Sequence, residues 1–458
     1  MTKSYTGKTA FASRLKQVSI YCSLFLSIAG NAHAQTDSTG QFKPSGQLWG
    51  AAFGDYAYKG NADILNRGGG NQYTGVPVNT NMFQWRRIYL GYKYEISKKF
   101  TADFLLSAEN DYQAGVLGQP PNTVTTTANG TGTLALGNNG DILVNNKFAP
   151  FIKWANIRWK DIWRGTDLVV GQVNNPAIGI TGRNSQTSEE VWAYRSIEKT
   201  VSDIRGTPVY DMGAELQGWF DSKGNFGYDV MVGNGQAARP ENDLYKWFYG
   251  DVYAKFLNKR IVIDLYQDYE RLNWGVYTKG PNGPWYHDRN MTKLFAAWNS
   301  RKLTVGFEGF RNTIMGDIKV TGKDGNTYYR TTQAMDMSFF VRGPIISDYR
   351  GNARLGFFAR FDNYDPSGDL SAVVNDPNTK SYIASTTAYD PTTKEQFAVI
   401  GLDYTPMKNV HIMPNFWLDT YTSSLVQNAA NDLLNPNVTG IKGTDAVWRL
   451  TVYYIYGR

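Results

Sequence analysis

The chain has 458 residues, with 47 lysines and arginines against 40 acids, three histidines and a single cysteine. Its mean hydropathy of −0.42 and the lack of any long apolar run after the first few dozen residues exclude a bundle of membrane-spanning helices, which needs about twenty apolar residues per span. Charges of both signs are interspersed without a basic cluster, which argues against nucleic acid as a partner.

Residues 1–34 read as a cleaved export signal peptide. Lys3, Lys8, Arg14 and Lys16 make a basic start without an acid, and 18–30 supply an apolar core too short to span a bilayer. Ala32-His33-Ala34 has the small-x-small cleavage pattern, which places the mature start at Gln35. Cys22 falls within this leader and lacks lipoprotein context, so the mature chain is expected to hold no disulfide and no thiolate. Taking these four bases from the 47 and setting the remainder against 40 acids leaves a mature charge of only +3.

The remainder, 35–458, reads as one all-β domain. Phe100, Ala102, Phe104, Leu106 and Ala108 alternate with Thr101, Asp103, Leu105 and Ser107. Ala353, Leu355, Phe357, Ala359 and Phe361 alternate with Arg354, Gly356, Arg360 and Asp362. Period two with one apolar face is a half-buried strand. Read this way in chain order, sixteen strands fall near 45–58, 82–96, 99–109, 149–160, 167–174, 209–220, 225–234 and 244–257, then 260–271, 289–299, 302–312, 332–342, 351–363, 395–405, 409–420 and 444–456. Abundant tyrosine, phenylalanine and tryptophan suit strands and membrane-interface girdles, and 46 glycines suit loops and crowded barrel walls.

The connections sort into two alternating classes. Short turns lie near 97–98, 161–166, 221–224, 258–259, 299–301, 343–350 and 406–408. Longer segments lie between them at 59–81, 110–148, 175–208, 235–243, 272–288, 313–331, 364–394 and 421–443. A soluble sandwich has no reason to sort its connections so regularly. A transmembrane antiparallel β-barrel of about sixteen strands does, with short turns in the periplasm and long loops outside. Two local conflicts need accommodation: adjacent Arg86 and Arg87 on one strand, and Pro414 inside another. A β-bulge is expected at each, with snorkelling as the other outlet for the arginine pair. The loop at 110–148 is polar and low in complexity, and carries no recognisable chemistry.

The third long loop interleaves acids, bases and aromatics. If it enters the barrel, Arg183, Arg195, Lys199 and Arg205 face Glu189, Glu190, Glu198 and Asp203 across a pore constriction. The alternative is that these groups tie the loop to the wall by ion pairs. Lumen-facing candidates on strands include Asp103, Glu215, Asp229, Arg354 and Arg360, with Asp264, Asp268, Glu308, Asp336, Asp403 and Asp419. Arg354 and Arg360 form a short basic row, and with the loop arginines they lead to an expectation of mixed or slight anion preference.

Several segments resemble Bacteroidetes outer-membrane porins, which are related to the phosphate-selective porin O/P family. They are Phe83-Gln84-Trp85-Arg86-Arg87-Ile88-Tyr89-Leu90-Gly91-Tyr92-Lys93-Tyr94-Glu95, Trp192-Ala193-Tyr194-Arg195-Ser196-Ile197-Glu198-Lys199-Thr200 with Asp203-Ile204-Arg205, Met231-Val232-Gly233-Asn234-Gly235, and Met413-Pro414-Asn415. The resemblance implies a sixteen-stranded barrel in the bacterial outer membrane, passive diffusion of small hydrophilic solutes or ions, and a homotrimer. Phosphate selectivity does not carry over, because the lumen candidates are mostly acidic. The sequence ends Tyr456-Gly457-Arg458 where the family usually ends on an aromatic, which leaves Leu450, Val452, Tyr454 and Tyr456 as the insertion signal.

Two other readings remain. One is a barrel that moves hydrophobic compounds or presents loops to a partner; a hydrophobic-solute transporter would carry apolar inward positions and an N-terminal plug, whereas these inward positions are charged. Catalysis would need a positioned base, and only His287 and His411 follow the leader, neither beside a recognisable nucleophile. No enzyme activity, cofactor or metal site is expected.

Overall fold

Strand pairing in this chain runs in a closed circle. In the computed structural model the described residues are 42–63, 73, 76–109, 124–126, 132–134, 150–178, 196–197, 199–204, 209–241, 244–272, 287–348, 351–366, 379–384, 393–423 and 441–457. Sixteen long strands form the wall: β1 (Ser45–Asn61), β2 (Asn81–Glu95), β3 (Phe100–Glu109), β4 (Pro150–Trp163), β5 (Thr166–Asn174), β6 (Tyr210–Trp219), β7 (Phe226–Gly233) and β8 (Trp247–Phe256). The second half is β9 (Ile261–Leu272), β10 (His287–Asn299), β11 (Thr304–Gly322), β12 (Thr327–Ser347), β13 (Ala353–Asp365), β14 (Lys394–Met407), β15 (Val410–Ser423) and β16 (Ile441–Tyr456). Each pairs antiparallel with its sequence neighbours, and β1 pairs with both β2 and β16. Closure removes both sheet edges, which is what lets strands lie in hydrocarbon without unmet peptide groups.

Alternation then divides the side chains. Outward positions such as Leu90, Val252, Leu265, Phe339 and Ile400 are exposed hydrophobics, and Leu265 is 52% exposed. Inward positions hold buried Asp55, Glu215, Asp229, Asp264, Glu308, Arg360 and Arg449. An apolar outside and a charged inside invert a soluble barrel. This is the architecture of a bacterial outer-membrane protein. Inner glycines make room for rings: a Cβ on Gly306 would lie 2.2 Å from the Phe340 ring.

Both sequence conflicts are resolved locally. Across β1 and β2, Phe53 pairs with Arg87 and Gly54 with Trp85, so Arg86 is the extra residue of a bulge. The bulge turns both guanidinium groups inward, at 1% and 2% exposure. At Pro414 no bulge forms. The β14–β15 ladder breaks between the Gly401–Asn415 and Tyr404–Ile412 pairs and resumes in the same register, so a short gap absorbs the missing N–H.

The expected loop at 313–331 is instead a hairpin. β11 and β12 run on past the barrel rim to a tight turn, where Gly322 N–H donates to the Asn326 carbonyl and Asp324 accepts the Asn326 N–H. Gly325 at the tip takes φ +82°, a left-handed conformation open to glycine. A further strand, Thr379–Ala384 in the seventh loop, adds to this extension. Beyond the membrane the pairing needs no apolar face, so the alternation that marks the wall is missing there. Of loop 110–148 the described part is a small ribbon, Val124–Thr126 against Gly132–Leu134.

The outward face predicts a measurable cost. Leu265→Arg, in the middle of β9, should lower folding stability in lipid vesicles by about 2–4 kcal/mol, read from urea titration. An unchanged midpoint would mean that Leu265 does not meet hydrocarbon.

Candidate functional site: the loop-lined lumen

A loop that turns into a barrel carries its peptide groups away from bulk water, and each then needs a partner. After β5 the chain enters a 3-10 turn, Pro176–Ile178, in which Ala177 N–H donates to Asn175 Oδ1 at 2.5 Å. Asn175 N–H donates to the Val209 carbonyl at 3.0 Å, so the two ends of this third loop are tied together at its neck. Ala177 and Ile178 are fully buried in a cluster with Val169, Met231, Trp247, Tyr266 and Met291, all from inner-face positions. Apolar packing thus turns the loop toward the inside of the barrel.

Charged wall residues then take up the loop's backbone. Lys293 on β10 donates to the Ala177 carbonyl. Arg449 on β16 donates to the Ser196 carbonyl, and Arg86 on β2 to the Ile197 carbonyl at 3.3 Å. Arg360 on β13 donates to the Lys199 carbonyl at 2.5 Å. On β11, Glu308 accepts from both the N–H and the hydroxyl of Ser202, at 3.1 and 2.6 Å. Four cations hold four carbonyls and one carboxylate holds one amide. Charge-assisted bonds of this kind are about twice as strong as neutral ones. Ser202 lies on a single helical turn, α1 (Val201–Ile204), begun by the Thr200 hydroxyl accepting Asp203 N–H at 3.3 Å.

The wall cations are themselves fixed. Asp55 accepts from Arg86 Nε and from the Thr451 hydroxyl (2.5 Å), with Arg449 Nη1 at 3.9 Å. Arg449 also donates to Asn415 at 2.9 Å and lies 3.8 Å above the Trp417 ring. Beside this group, Glu109 takes Lys153 at 2.6 Å and Arg87 at 3.7 Å, and both bases also reach the Tyr89 hydroxyl. The first loop is latched to the same sector. Lys59 bridges Asp445 at 2.8 Å and donates to the Tyr73 carbonyl at 3.0 Å, while Tyr73 packs edge-on against Trp417.

Of the eight constriction candidates, Arg183, Glu189, Glu190, Arg195, Glu198 and Arg205 lie outside the described residues. Lys199 offers its carbonyl to Arg360, and Asp203 sits on α1. Arg354 and Arg360 share the inward parity but not an environment. Arg354 is exposed at the turn end of β13 and donates to the Pro406 carbonyl at 3.1 Å. Arg360 is buried and grips Asp362 through Nε and Nη2, at 2.8 and 2.7 Å. Asp103 faces Lys93 in the β2–β3 register, Glu215 accepts from Gln217 at 2.9 Å, and Asp229 N–H donates to the Asp251 carboxylate at 2.9 Å. His411 bonds Asp403 through Nδ1 at 2.8 Å beside the last short turn, and His287 is buried at the start of β10.

Sequence reasoning had not singled out Arg449, Lys293 or Asp55. Parity alone could have found Arg449, whose neighbours Trp448 and Leu450 both point outward. Its loop partner could not be read, because the two are 253 residues apart.

No protein-family model matches the chain, and no curated protein matches it. Solved structures do. The outer membrane channel DcaP of Acinetobacter baumannii superposes with a TM-score of 0.52 at 10% identity, over 93% of this chain and 100% of that one. OprB of Pseudomonas putida gives 0.49 at 8% identity, over 90% and 94% of the two chains. An anion-selective porin from Comamonas acidovorans gives 0.48 at 9% identity, over 90% and 100%. The likeness to DcaP is one of fold.

The Asp55 hub predicts a large loss on truncation. Asp55→Ala leaves two buried guanidinium groups facing one another without their shared carboxylate, at an expected cost of about 3–5 kcal/mol. Urea unfolding in vesicles measures it. A loss under about 1 kcal/mol would show that the arginines do not depend on this carboxylate.

Proposed function

We propose that the protein is an outer-membrane porin that lets small hydrophilic solutes or ions diffuse passively through a water-filled lumen. One observation carries the reading: the inner wall is charged on every side, from Asp55 on β1 through Asp229, Asp264 and Glu308 to Arg449 on β16. A conduit for hydrophobic compounds would present an apolar inner wall instead. Small ions and polar solutes exchange their hydration for such side chains at little cost.

The proposal extends to a preference for cations, against the slight anion preference expected from the sequence. Among the described residues, the buried charged side chains comprise eighteen carboxylates and eight lysines and arginines. The third loop adds no net charge, since its four bases are matched by four acids. On that count the buried charge of the described wall is negative, and a low-dielectric wall focuses such a field on passing ions. Arg360, one of the bases that suggested anion preference, holds a carboxylate and a loop carbonyl. A homotrimer, the assembly implied by the family resemblance, belongs to the same proposal and is read from the mass of the unheated complex.

In planar bilayers the purified protein should give stepwise, ohmic conductance without an energy source. In a potassium chloride gradient the zero-current potential should have the sign of cation preference. The pair Asp229→Asn and Asp251→Asn should reduce the potassium-to-chloride permeability ratio by roughly twofold or more. Folded protein without conductance would end the porin reading, whereas conductance with chloride preference would end only the cation reading.

A further inference from the structure

The short-turn end of the barrel has a charge pattern that the pore does not use. Six of the seven turns there carry a described, exposed base: Lys99, Arg164, Lys223, Lys259, Arg301 and Lys408. In three of these turns the charge is doubled, by Lys98, Arg260 and Lys302. Among the described residues none of these nine bases is in an ion pair. The acids of the same turns are withdrawn. Asp221 accepts the backbone N–H groups of Asn225 and Phe226 at 2.6 and 3.0 Å, and Asp348 accepts that of Asn352 at 2.8 Å. Asp161 does the same for Gly165 at 3.3 Å. The Phe226 and Asn225 amides hold the Asp221 carboxyl below the usual carboxylate range. These acids are thus spent on shaping turns, and the rim is left with a ring of outward-reaching positive charge.

A second feature of the rim says what the ring meets. Each base follows or precedes, by one to three residues, a large apolar side chain exposed on the outer face. Phe100, Trp163, Phe220, Phe256, Trp298 and Met407 stand beside the six bases in turn. A ring of large apolar side chains, five of the six aromatic, ending in a ring of cations is the profile of a lipid headgroup region, with the apolar group at the acyl boundary and the ammonium or guanidinium at the phosphate. An acidic protein or a wall polymer would be met by charge on the turn tips and would have no use for the adjoining outward rings.

We propose that the periplasmic turn rim is a binding surface for the phosphates of anionic phospholipids in the inner leaflet of the outer membrane. The inference rests on the barrel and its orientation and not on conduction, so the two fail separately. Each lysine or arginine near an anionic surface adds to the attraction, and the effect weakens with salt.

The test uses the full mature barrel, folded and reconstituted in phosphatidylcholine vesicles with or without phosphatidylglycerol. After mild extraction, native mass spectrometry reads the lipids that remain bound. Wild type should retain phosphatidylglycerol over phosphatidylcholine by roughly threefold or more relative to the bulk mixture. The quadruple variant Arg164→Gln, Lys223→Gln, Lys259→Gln, Arg301→Gln should bring that ratio close to one while leaving heat-modifiable mobility and conductance intact. Inorganic phosphate at about 10 mM should not displace the lipid, whereas a free-phosphate site would give it up. Equal retention of the two lipids by wild type overturns the proposal. So does a variant that keeps its phosphatidylglycerol while losing only its sedimentation with peptidoglycan sacculi, which would assign the rim to an acidic polymer.

Discussion

Every peptide group that leaves water must find a hydrogen-bond partner, and this constraint shapes the protein at three depths. In the hydrocarbon it forces the sixteen strands to close through the β1–β16 pair, leaving no edge. Within the wall it decides how irregular residues are carried. The extra residue at Arg86 is taken up by a bulge, and Pro414 by two missing pairs in an otherwise continuous register. Inside the barrel, where the third loop lacks a ladder of its own, the wall supplies partners from side chains. Arg449, Arg86, Arg360 and Lys293 serve four loop carbonyls, and Glu308 serves a loop amide.

That division of labour separates two uses of charge. The buried cations of the inner wall are structural, because each is engaged by a neighbouring carboxylate, a loop carbonyl or both. Buried carboxylates outnumber them. At the short-turn rim the roles reverse: the carboxylates shape turns by accepting backbone amides, and the lysines and arginines extend outward. The net charge of the sequence conceals this arrangement, since it sums buried carboxylates and exposed rim bases that lie in different dielectric surroundings.

The strands were legible because lipid on one side and water on the other impose strict alternation. Fourteen of the sixteen lie within about four residues of their expected ends, β11 and β12 run on well past theirs, and Arg86 and Arg87 announced their bulge by breaking the pattern. The hairpin at 313–331 was missed, because strands that leave the membrane no longer need an apolar face, and Asp324-Gly325 was not read as a turn. Arg354 and Arg360 shared a face in the sequence, yet lie in unlike surroundings, one on a turn carbonyl and one on a buried carboxylate. What the sequence could not disclose is which distant backbone group a wall side chain serves. Glu308 and Ser202 are 106 residues apart, and no periodicity links them.

Anchoring of the third loop inside the barrel is the claim on which the lumen rests, and amide exchange at Ser202 tests it directly. Its N–H donates to the buried Glu308 carboxylate at 3.1 Å. In folded protein, hydrogen exchange at this amide should be slower than in a free peptide by roughly a hundredfold or more, and Glu308→Ala should restore fast exchange while the barrel stays folded. Free-peptide exchange at Ser202 in the folded wild-type barrel would contradict the account.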